Sequence, residues 1–366
     1  MLIGIDASRS NVKQRTGTEY YSYEIIKNLI RDSSNKYRLY SKTPLDYVAS
    51  NETIENKVME FPRLWSQIRL SFEIYKNPPD VLFVPAHTIP VYHGKKTVAT
   101  LHDIGFRYFP ELYTPLERYY HNYCMAFSVK HATKIIAISQ STKKDLIKFY
   151  NAEEDKISVI YHGYTKEKFH PLKRDEKIPD DIKNLQPYLF FIGRLEAKKN
   201  LVNLIKAFGE LKKDSSIKHK LVLAGRPGYQ YEEIKEQINK LEEHSRANIV
   251  ELGYVEDEKV SWLTRCADIF VFPSYFEGFG MPLLETMASG VPIVASNTTS
   301  IPEIVSGAAI LKNPNDFRGF AEAVESIIKS SKIKNELIKK GLKRARDFSW
   351  ERCAKETLEV IKEAKS

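Results

Sequence analysis

Residues 269–285 read IFVFPSYFEGFGMPLLE, and this stretch says most about the fold. Its first four residues are a short apolar run that predicts a buried β-strand. A helix is predicted to begin near Pro282, because proline is favoured in the first turn of a helix. Gly278 and Gly280 lie between the two, where a ligand can approach main-chain N–H groups and the positive end of the helix dipole. The stretch therefore predicts a strand, a loop and a helix, with phosphate or developing negative charge stabilised at the loop.

Two carboxylates in this stretch, Glu277 and Glu285, are eight residues apart, one in the loop and one a turn inside the helix. Carboxylates accept hydrogen bonds well from vicinal hydroxyl pairs, so the two acids could hold different parts of one ligand, a hexose and a ribose. Each acid alone has an ordinary explanation, as a loop acid or as an acid favoured by the helix dipole. Two glycines lie between the acids, and two cations occur elsewhere in the sequence. Together they favour a role for the two acids in holding a ligand.

The two cations follow an earlier predicted strand, at residues 188–192, in the sequence Gly193-Arg194-Leu195-Glu196-Ala197-Lys198-Lys199. Arg194 offers a planar fork of donors and Lys199 a point charge, at the start of a strand-to-helix turn. This arrangement suits two linked phosphates, and a solvated basic loop is the alternative. The sequence Gly225-Arg226-Pro227-Gly228 also follows a strand, which is compatible with a site segment, and a simple turn is the alternative.

The alternation of strand and helix extends along the whole chain. Strands are predicted at 2–6, 37–40, 81–84, 97–101, 134–138 and 157–161, and again at 188–192, 221–224, 249–252, 269–272 and 293–295. Strands that alternate with helices predict α/β domains with parallel sheets, and each set is large enough for its own doubly wound sheet. We expect a Rossmann-like domain at 1–175, a second at 176–347, a cleft between them, and a C-terminal helix at 348–366. The charged, proline-bracketed segment 171–179 predicts the linker.

Composition excludes several classes of protein. The chain has 366 residues, of which 42% are hydrophobic, and this excludes a disordered or fibrous protein. The net charge of +9 suits anionic small molecules or an anionic membrane surface, and it is too dispersed for a duplex DNA binder. Three widely separated cysteines without a CxxC pair indicate neither a disulfide framework nor a zinc site. With no leader and no long apolar run, the sequence predicts a cytoplasmic protein.

The residues Glu277 to Glu285, with Gly193-Arg194 and Lys199, resemble the donor site of family-4 retaining glycosyltransferases of the GT-B fold. The resemblance covers almost the whole chain, including 291–296, 301–303 and the closing helix around Trp350. It implies that Glu277 holds donor-sugar hydroxyls, that Glu285 holds the ribose and that Arg194 and Lys199 clamp the diphosphate. It further implies donor contacts from the main chain of Gly278, Phe279, Gly280 and Met281, a base bordered by Gly253, Tyr254 and Val255, and a closing helix that crosses back to the first domain. For Tyr254, packing in the core is the alternative.

In the first domain, the resemblance implies donor contacts from the loop Arg15-Thr16-Gly17-Thr18-Glu19 and from His102. Gly17 and Thr18 would approach the donor phosphate, although a simple turn is the alternative. His102 follows the strand at 97–101, which favours a functional role. Asp103 could orient His102 or cap the residues that follow. His87 shares the position after a strand, whereas His162 is interpreted as structural.

The resemblance implies a metal-independent enzyme without a cofactor, and the sequence contains no Asp-x-Asp element. The loop at 15–19 and the segment Leu101-His102-Asp103-Ile104 look most like bacterial mannosyltransferases of surface polysaccharide synthesis, such as lipopolysaccharide. GDP-mannose is therefore the first expected donor and UDP-glucose the alternative, with a glycan or lipid-linked glycan as acceptor. The aromatic and basic segment 106–134 predicts an acceptor groove, a contact with the anionic inner membrane or a core helix. An epimerase, a phosphorylase and a nucleic-acid binder are the rival classes, and no nucleic-acid motif is present.

Overall fold

The computed structural model describes residues 1–12, 15 and 17–365. The chain forms two compact units, one of Met1–Gly163 with Phe348–Ser366 and one of Tyr164–Asp347. The unit boundary lies earlier than the predicted 175. Residues 164–175 belong to the second unit, where Arg265 Nε donates to the carbonyl of His170 at 2.9 Å and the Arg265 guanidinium pairs with Glu176.

The first unit is a parallel sheet of seven strands in the order β3-β2-β1-β4-β5-β6-β7. The strands are β1 (Leu2–Asp6), β2 (Lys36–Ser41), β3 (Ile54–Val58), β4 (Val81–Val84), β5 (Thr97–Leu101), β6 (Lys134–Ala137) and β7 (Ile157–Val159). The helices are α1 (Gly17–Leu29), α2 (Ser71–Lys76), α3 (Gly105–Tyr108), α4 (Pro115–His131) and α5 (Gln140–Tyr150), with a π-helical turn at Ser66–Leu70 before α2 and 3₁₀ turns at Pro110–Leu112 and Glu154–Lys156.

The second unit is a parallel sheet of six strands in the order β10-β9-β8-β11-β12-β13. The strands are β8 (Tyr188–Ile192), β9 (Lys220–Ala224), β10 (Ile249–Gly253), β11 (Ile269–Phe272), β12 (Ile293–Ser296) and β13 (Ala309–Lys312). The helices are α6 (Asp180–Lys183), α7 (Leu201–Leu211), α8 (Tyr231–Asn239), α9 (Glu243–Arg246), α10 (Asp257–Arg265), α11 (Met281–Ala288), α12 (Ile301–Val305), α13 (Phe317–Lys329) and α14 (Ser331–Ala345), with a 3₁₀ turn at Ala197–Lys199.

The last helix, α15 (Trp350–Lys365), returns to the first unit, where it contacts α1 and strands β4, β5 and β6. It buries Trp350, Cys353 and Ile361 against that unit. Two doubly wound parallel sheets and a C-terminal helix on the first of them confirm the predicted GT-B architecture.

Each predicted strand is present, with ends that differ by at most two residues, but the two edge strands β3 and β13 were not predicted. Strand β3 reads IENKV and β13 reads AILK, and neither is fully buried. A half-exposed edge strand needs no continuous apolar run, so the pattern that reveals central parallel strands is weak there.

Both sheets reverse their strand order at one place, between β1 and β4 in the first unit and between β8 and β11 in the second. Ligands of open α/β sheets bind beyond the carboxyl ends of the strands at this switch point. The loops best placed to bind a ligand are therefore those after β1 and β4 in the first unit and those after β8 and β11 in the second.

None of the helices in the described part of the chain is long and apolar enough to cross a bilayer.

Candidate active site

An ion pair bridges the switch point of the second sheet. Lys199 follows β8 and Glu277 follows β11, and Lys199 Nζ lies 2.6 Å from Glu277 Oε1. The two side chains are only 15% and 12% exposed. The pair thus holds one cation and one acid, 78 residues apart in sequence, side by side and partly shielded from water.

The loop after Glu277 is held in shape by the segment after β12. The Glu277 N–H donates to Thr299 Oγ1 at 3.0 Å, and Ser300 Oγ donates to the carbonyls of Glu277 and Phe279 at 2.9 and 3.1 Å. Gly280 has a φ of 88°, a left-handed conformation that favours glycine. Helix α11 begins at the next residue, and among the described residues no side chain caps that start. The first turn therefore presents its positive end to an anion.

Arg194, on the turn after β8, projects into solvent. Its side chain is exposed, and its Nε is 3.8 Å from the carboxylate of Glu196. The turn that carries it is tightly packed, because a Cβ on Gly225 would lie 1.8 Å from the carbonyl oxygen of Gly193. Lys199 is thus fixed within the site, whereas Arg194 remains at its margin with its donors accessible.

The predicted base region, residues 253–255, lies at the end of β10, which pairs with β9 in the same sheet. Tyr254 is about half-exposed, so it is not a core residue. The Arg226 guanidinium lies over its ring at 4.7 Å, and Gly253 before it has a φ of 64°. For the segment that carries Arg226, the sequence left a turn and a site segment as alternatives, and nothing in the sequence spacing pairs Arg226 with Tyr254. Val255 follows directly in the chain.

Glu285 lies on α11 in a partly buried position. Burial, with a smaller contribution from the carboxylate of Asp257, raises its pKa to about 8 against the opposing effect of the Lys168 ammonium. A carboxyl group in this state is largely protonated near neutral pH and can both donate to and accept from a ligand hydroxyl.

Glu285 should make stability depend on pH. Its pKa is higher in the folded chain than the ordinary 4.5, so its contribution to stability is fully present below about pH 4.5 and is lost as the pH rises through about 8. In Glu285→Gln this loss is absent. We expect the wild-type Tm to fall relative to that of Glu285→Gln between about pH 5 and pH 9, measured by thermal unfolding. The exposed Glu258 on α10 provides a control as Glu258→Gln, whose Tm should run parallel to the wild type. A parallel course for Glu285→Gln as well would contradict the assigned burial.

In the first unit, His102 lies at the end of β5 with a buried ring. Its Nε2 is 3.0 Å from the carbonyl oxygen of Pro85, so Nε2 carries the proton and donates it. Its main-chain N–H donates to His87 Nδ1 at 3.3 Å, and burial lowers the pKa of both imidazoles. His102 is therefore a neutral ring whose orientation is fixed by its neighbours.

His162 is buried in an aromatic stack. Its ring centroid lies 4.7 Å from that of Tyr21 and 5.8 Å from that of Trp350, with small interplanar angles. Burial lowers its pKa well below the usual value. Asp103 Oδ1 accepts from the N–H of Gly105 at 2.8 Å, two residues along the chain.

Gly17 and Thr18 form the start of α1. A Cβ on Gly17 would meet no atom within 4 Å, so this position leaves room for a neighbouring group. Arg15 Nε donates to the carbonyl of Ser10 at 3.2 Å, and its guanidinium lies 3.9 Å from the centre of the Tyr23 ring. Thr16, also part of the predicted loop, lies outside the described residues.

Across the described residues, no three His, Cys, Asp or Glu side chains form a group that could hold a metal ion. Positive charge at the site comes from Lys199, from Arg194 and from the start of α11.

Two family models match consecutive parts of the chain. Residues 35–168 match the Glycosyltransferase Family 4 model, and residues 173–344 match the Glycosyl transferases group 1 model. The second match contains Arg194, Lys199, Glu277 and Glu285, and the first contains His102.

Similar proteins include O-antigen chain mannosyltransferase B of Escherichia coli, which is 28% identical over 95% of this chain and 96% of its own length. The serotype-specific mannosyltransferase WbdA of Escherichia coli is 27% identical over 74% of this chain, and this match covers 33% of WbdA. These relatives share sequence over most of the chain at modest identity.

Solved structures share the fold at lower identity. Sucrose-phosphate synthase from Thermosynechococcus elongatus has a TM-score of 0.76 and 16% identity, with 99% of this chain and 98% of that chain covered. Anabaena Alr3699/HepE in complex with UDP-glucose has a TM-score of 0.73 and 17% identity, with 99% of both chains covered. At these identities the likeness concerns the fold.

Proposed function

Because the chain is a glycosyltransferase with the GT-B fold, we propose that it moves a hexose from a nucleoside diphosphate sugar to a hydroxyl of a glycan or lipid-linked glycan. Mannose from GDP-mannose is the donor we favour. The observation that carries the proposal is the Lys199–Glu277 pair at the sheet switch point, beside the start of α11. Cation, acid and helix start together suit a sugar joined to a diphosphate.

Mannose is supported by the similar proteins that are described as mannosyltransferases. O-antigen chain mannosyltransferase B is similar over almost its whole length, and WbdA is a second mannosyltransferase. UDP-glucose is the second candidate, because Anabaena HepE, which has the same fold, was solved in complex with UDP-glucose.

We assign the stabilisation of negative charge in the transition state to side chains and a helix start of this chain. When the sugar leaves the diphosphate, negative charge grows on the phosphate oxygens. The Lys199 ammonium and the start of α11 are already in place to meet that charge, and Arg194 can fold over it from the margin. Transfer by these groups would require neither a metal nor a cofactor, so the transfer rate should be unchanged by a chelator.

Glu277 and Glu285 hold the two sugar rings in this proposal. Glu277 would accept from hydroxyls of the hexose with the oxygen that Lys199 leaves available, and Glu285 would bind the ribose. The main chain from Gly278 to Met281 would contact sugar and phosphate. The base would lie along Gly253, Tyr254 and Val255.

In the first unit, His102, Gly17 and Thr18 would contact the donor, as the resemblance implies. His102 donates through Nε2 to Pro85, so its other ring nitrogen is an acceptor for a sugar hydroxyl. A neutral, fixed imidazole suits positioning better than proton transfer.

We further propose that the anomeric configuration is retained by a front-face displacement. In that step the bond from the anomeric carbon to the diphosphate breaks, the bond to the acceptor oxygen forms on the same face, and the departing phosphate takes the acceptor proton. Glu277, the acid paired with Lys199, is not assigned as a nucleophile. An inverted product would overturn this step.

A thermal-shift panel tests the donor. GDP-mannose at about 100 times its Kd should stabilise the protein by about 2.7 kcal/mol, whereas UDP-glucose at the same concentration should give little shift. Lys199→Ala should lose the GDP-mannose shift. A shift with UDP-glucose alone would replace mannose by the second candidate. No shift with any nucleotide sugar would mean that the donor site is misplaced.

A lipid-linked acceptor places the reaction at the inner face of the membrane, and we propose peripheral contact with anionic lipid there. Support comes from the aromatic and basic residues between 106 and 134, several of which are exposed on α4.

A further inference from the structure

Large apolar side chains are exposed on one side of the first unit. The turn Ser66–Leu70 and α2 expose Ile68, Phe72 and Tyr75, which are four and three residues apart and so share one helix face. Phe72 is 52% and Tyr75 67% exposed. These three side chains do not belong to the core, because the opposite side of the same helical segment supplies the core residues Leu70 and Ile74.

This face continues across a loop to α4. The Tyr75 and Tyr92 rings are 5.3 Å apart, and the Tyr92 N–H donates to Ser71 Oγ at 3.1 Å. The neighbouring His93 ring lies 6.2 Å from that of Phe127, which is 6.0 Å from that of Tyr123. Tyr119, one turn before Tyr123, is 72% exposed. We call the exposed members, Ile68, Phe72, Tyr75, Tyr92, Tyr123 and Tyr119, the apolar band.

The band lies on helices that cannot rotate to hide it. On α4 the inward side buries Met125 and Val129 in the same core cluster as Leu70 and Ile74. The helix start is fixed by Thr114 and Glu117, whose side chains each accept from the other's main-chain N–H. Turning the band inward would expose this core, so the chain keeps an exposed apolar surface of the kind that marks an interaction site.

Two exposed lysines, Lys76 and Lys130, lie on the helices that carry the band. Lys76 Nζ lies 4.6 Å from the centre of the Phe72 ring, and Lys130 is exposed near Phe127. The acid on α2, Glu73, is buried and paired with Lys57 and Arg69, so it does not offset this charge. The long lysine stems can lie along apolar surface while their ammonium groups reach an anionic partner.

A cavity at the α4 end of the band adds two arginines. Its volume is about 420 Å³, and it is lined by Arg107, Arg118, Phe106 and Tyr119 among others. Arg107 Nη1 donates to Asn122 Oδ1 at 3.4 Å, which holds one guanidinium at the wall. Two arginines beside aromatic rings suit a phosphate group.

We infer that the apolar band and the cavity with Arg107 and Arg118 form the surface by which the protein docks on an anionic bilayer. The tyrosine and phenylalanine rings would lie at the depth of the lipid headgroups, Lys76 and Lys130 would face the anionic surface, and the cavity would take a lipid phosphate. A second copy of the chain fits less well, because a symmetric contact would bring the same basic groups face to face. The inference deepens the membrane contact proposed above and is independent of which donor is used.

Flotation with lipid vesicles tests the inference on the full chain. With vesicles containing about 30 mol% phosphatidylglycerol in phosphatidylcholine, the wild type should float, and it should not with pure phosphatidylcholine. The variant Phe72→Ser/Tyr75→Ser/Tyr123→Ser should lower the apparent affinity by at least about tenfold. The control Leu172→Ser/Tyr229→Ser, which replaces exposed apolar residues of the second unit, should bind like the wild type.

Arg118→Glu provides a second variant at an exposed position, where the substitution should leave the fold intact. It should weaken vesicle binding several-fold and reduce its salt dependence. Equal binding to neutral vesicles, or unchanged binding by both variants, would overturn the inference. So would lipid-free self-association of the wild type that the triple variant abolishes, since the occupant would then be a second copy. Nucleotide-sugar thermal shifts in the same variants should be unchanged, which separates this outcome from failure of the proposed function.

Discussion

Lys199→Ala and Glu277→Ala should each lower the rate of sugar transfer by at least about 100-fold while leaving the protein folded. The Lys199 ammonium is held 2.6 Å from Glu277 Oε1, and removing it leaves the diphosphate charge to Arg194 and the helix start. Removing Glu277 takes away the acid that positions the ammonium and that, in the proposed function, holds the sugar. Initial rates with donor and acceptor, together with Tm values, measure both effects.

The neighbouring Lys198→Ala is the matched control. Lys198 belongs to the same turn, but its ammonium lies 3.8 Å from Glu196 instead of Glu277, so transfer should stay near the wild-type rate. Because Lys199 and Glu277 act as one unit, the double variant should lose less than the product of the two single losses. Wild-type turnover in either single variant would show that the diphosphate binds elsewhere.

The pairing of Lys199 with Glu277 shows what could be predicted from sequence. Each residue was placed after a buried strand, and the carboxyl ends of parallel strands meet at one edge of a sheet. That reasoning brings the two residues to the same edge. It does not give strand order, and only the adjacency of β8 and β11 makes them neighbours.

Contacts between loops that are distant along the chain could not be predicted from the sequence. Asn200 has a left-handed φ of 59°, and its Nδ2 donates to the carbonyls of Pro273 and Pro314 at 3.0 and 2.7 Å. It therefore ties the turn after Lys199 to two distant segments, one of them the loop that leads to Glu277. Arg226 over Tyr254 is similar, since no periodic pattern connects the ends of β9 and β10.

The histidines show a different limit. All of His87, His102 and His162 follow strands, and position alone could not separate their roles. The structure separates them by environment: Pro85 and Tyr21 fix His102, whereas His162 stacks between Tyr21 and Trp350. Because Trp350 is in the last helix, the partner that defines His162 is almost two hundred residues away in sequence.

Gly163→Ala, at the residue after His162, should strongly destabilise the protein. A Cβ at Gly163 would lie 2.1 Å from the main-chain nitrogen of Trp350 and 2.4 Å from the carbonyl carbon of Ser349. Both are backbone atoms, so the clash is relieved only if the start of α15 moves away. That movement would also open the stack of Trp350 on His162. We expect a cost of about 3 kcal/mol or more in the free energy of unfolding.

Gly341→Ala should have the opposite sign, and this contrast isolates close approach from the general cost of replacing glycine. Gly341 lies inside α14, where a Cβ would be 3.5 Å from Met287 Cγ, an ordinary contact distance. Alanine in a helix interior should therefore stabilise by about 0.5–1 kcal/mol. Denaturant unfolding of both variants measures the two changes. If Gly163→Ala were as stable as the wild type, the close packing of α15 on the first unit would be wrong, and the aromatic stack that gives His162 its structural role would be wrong with it.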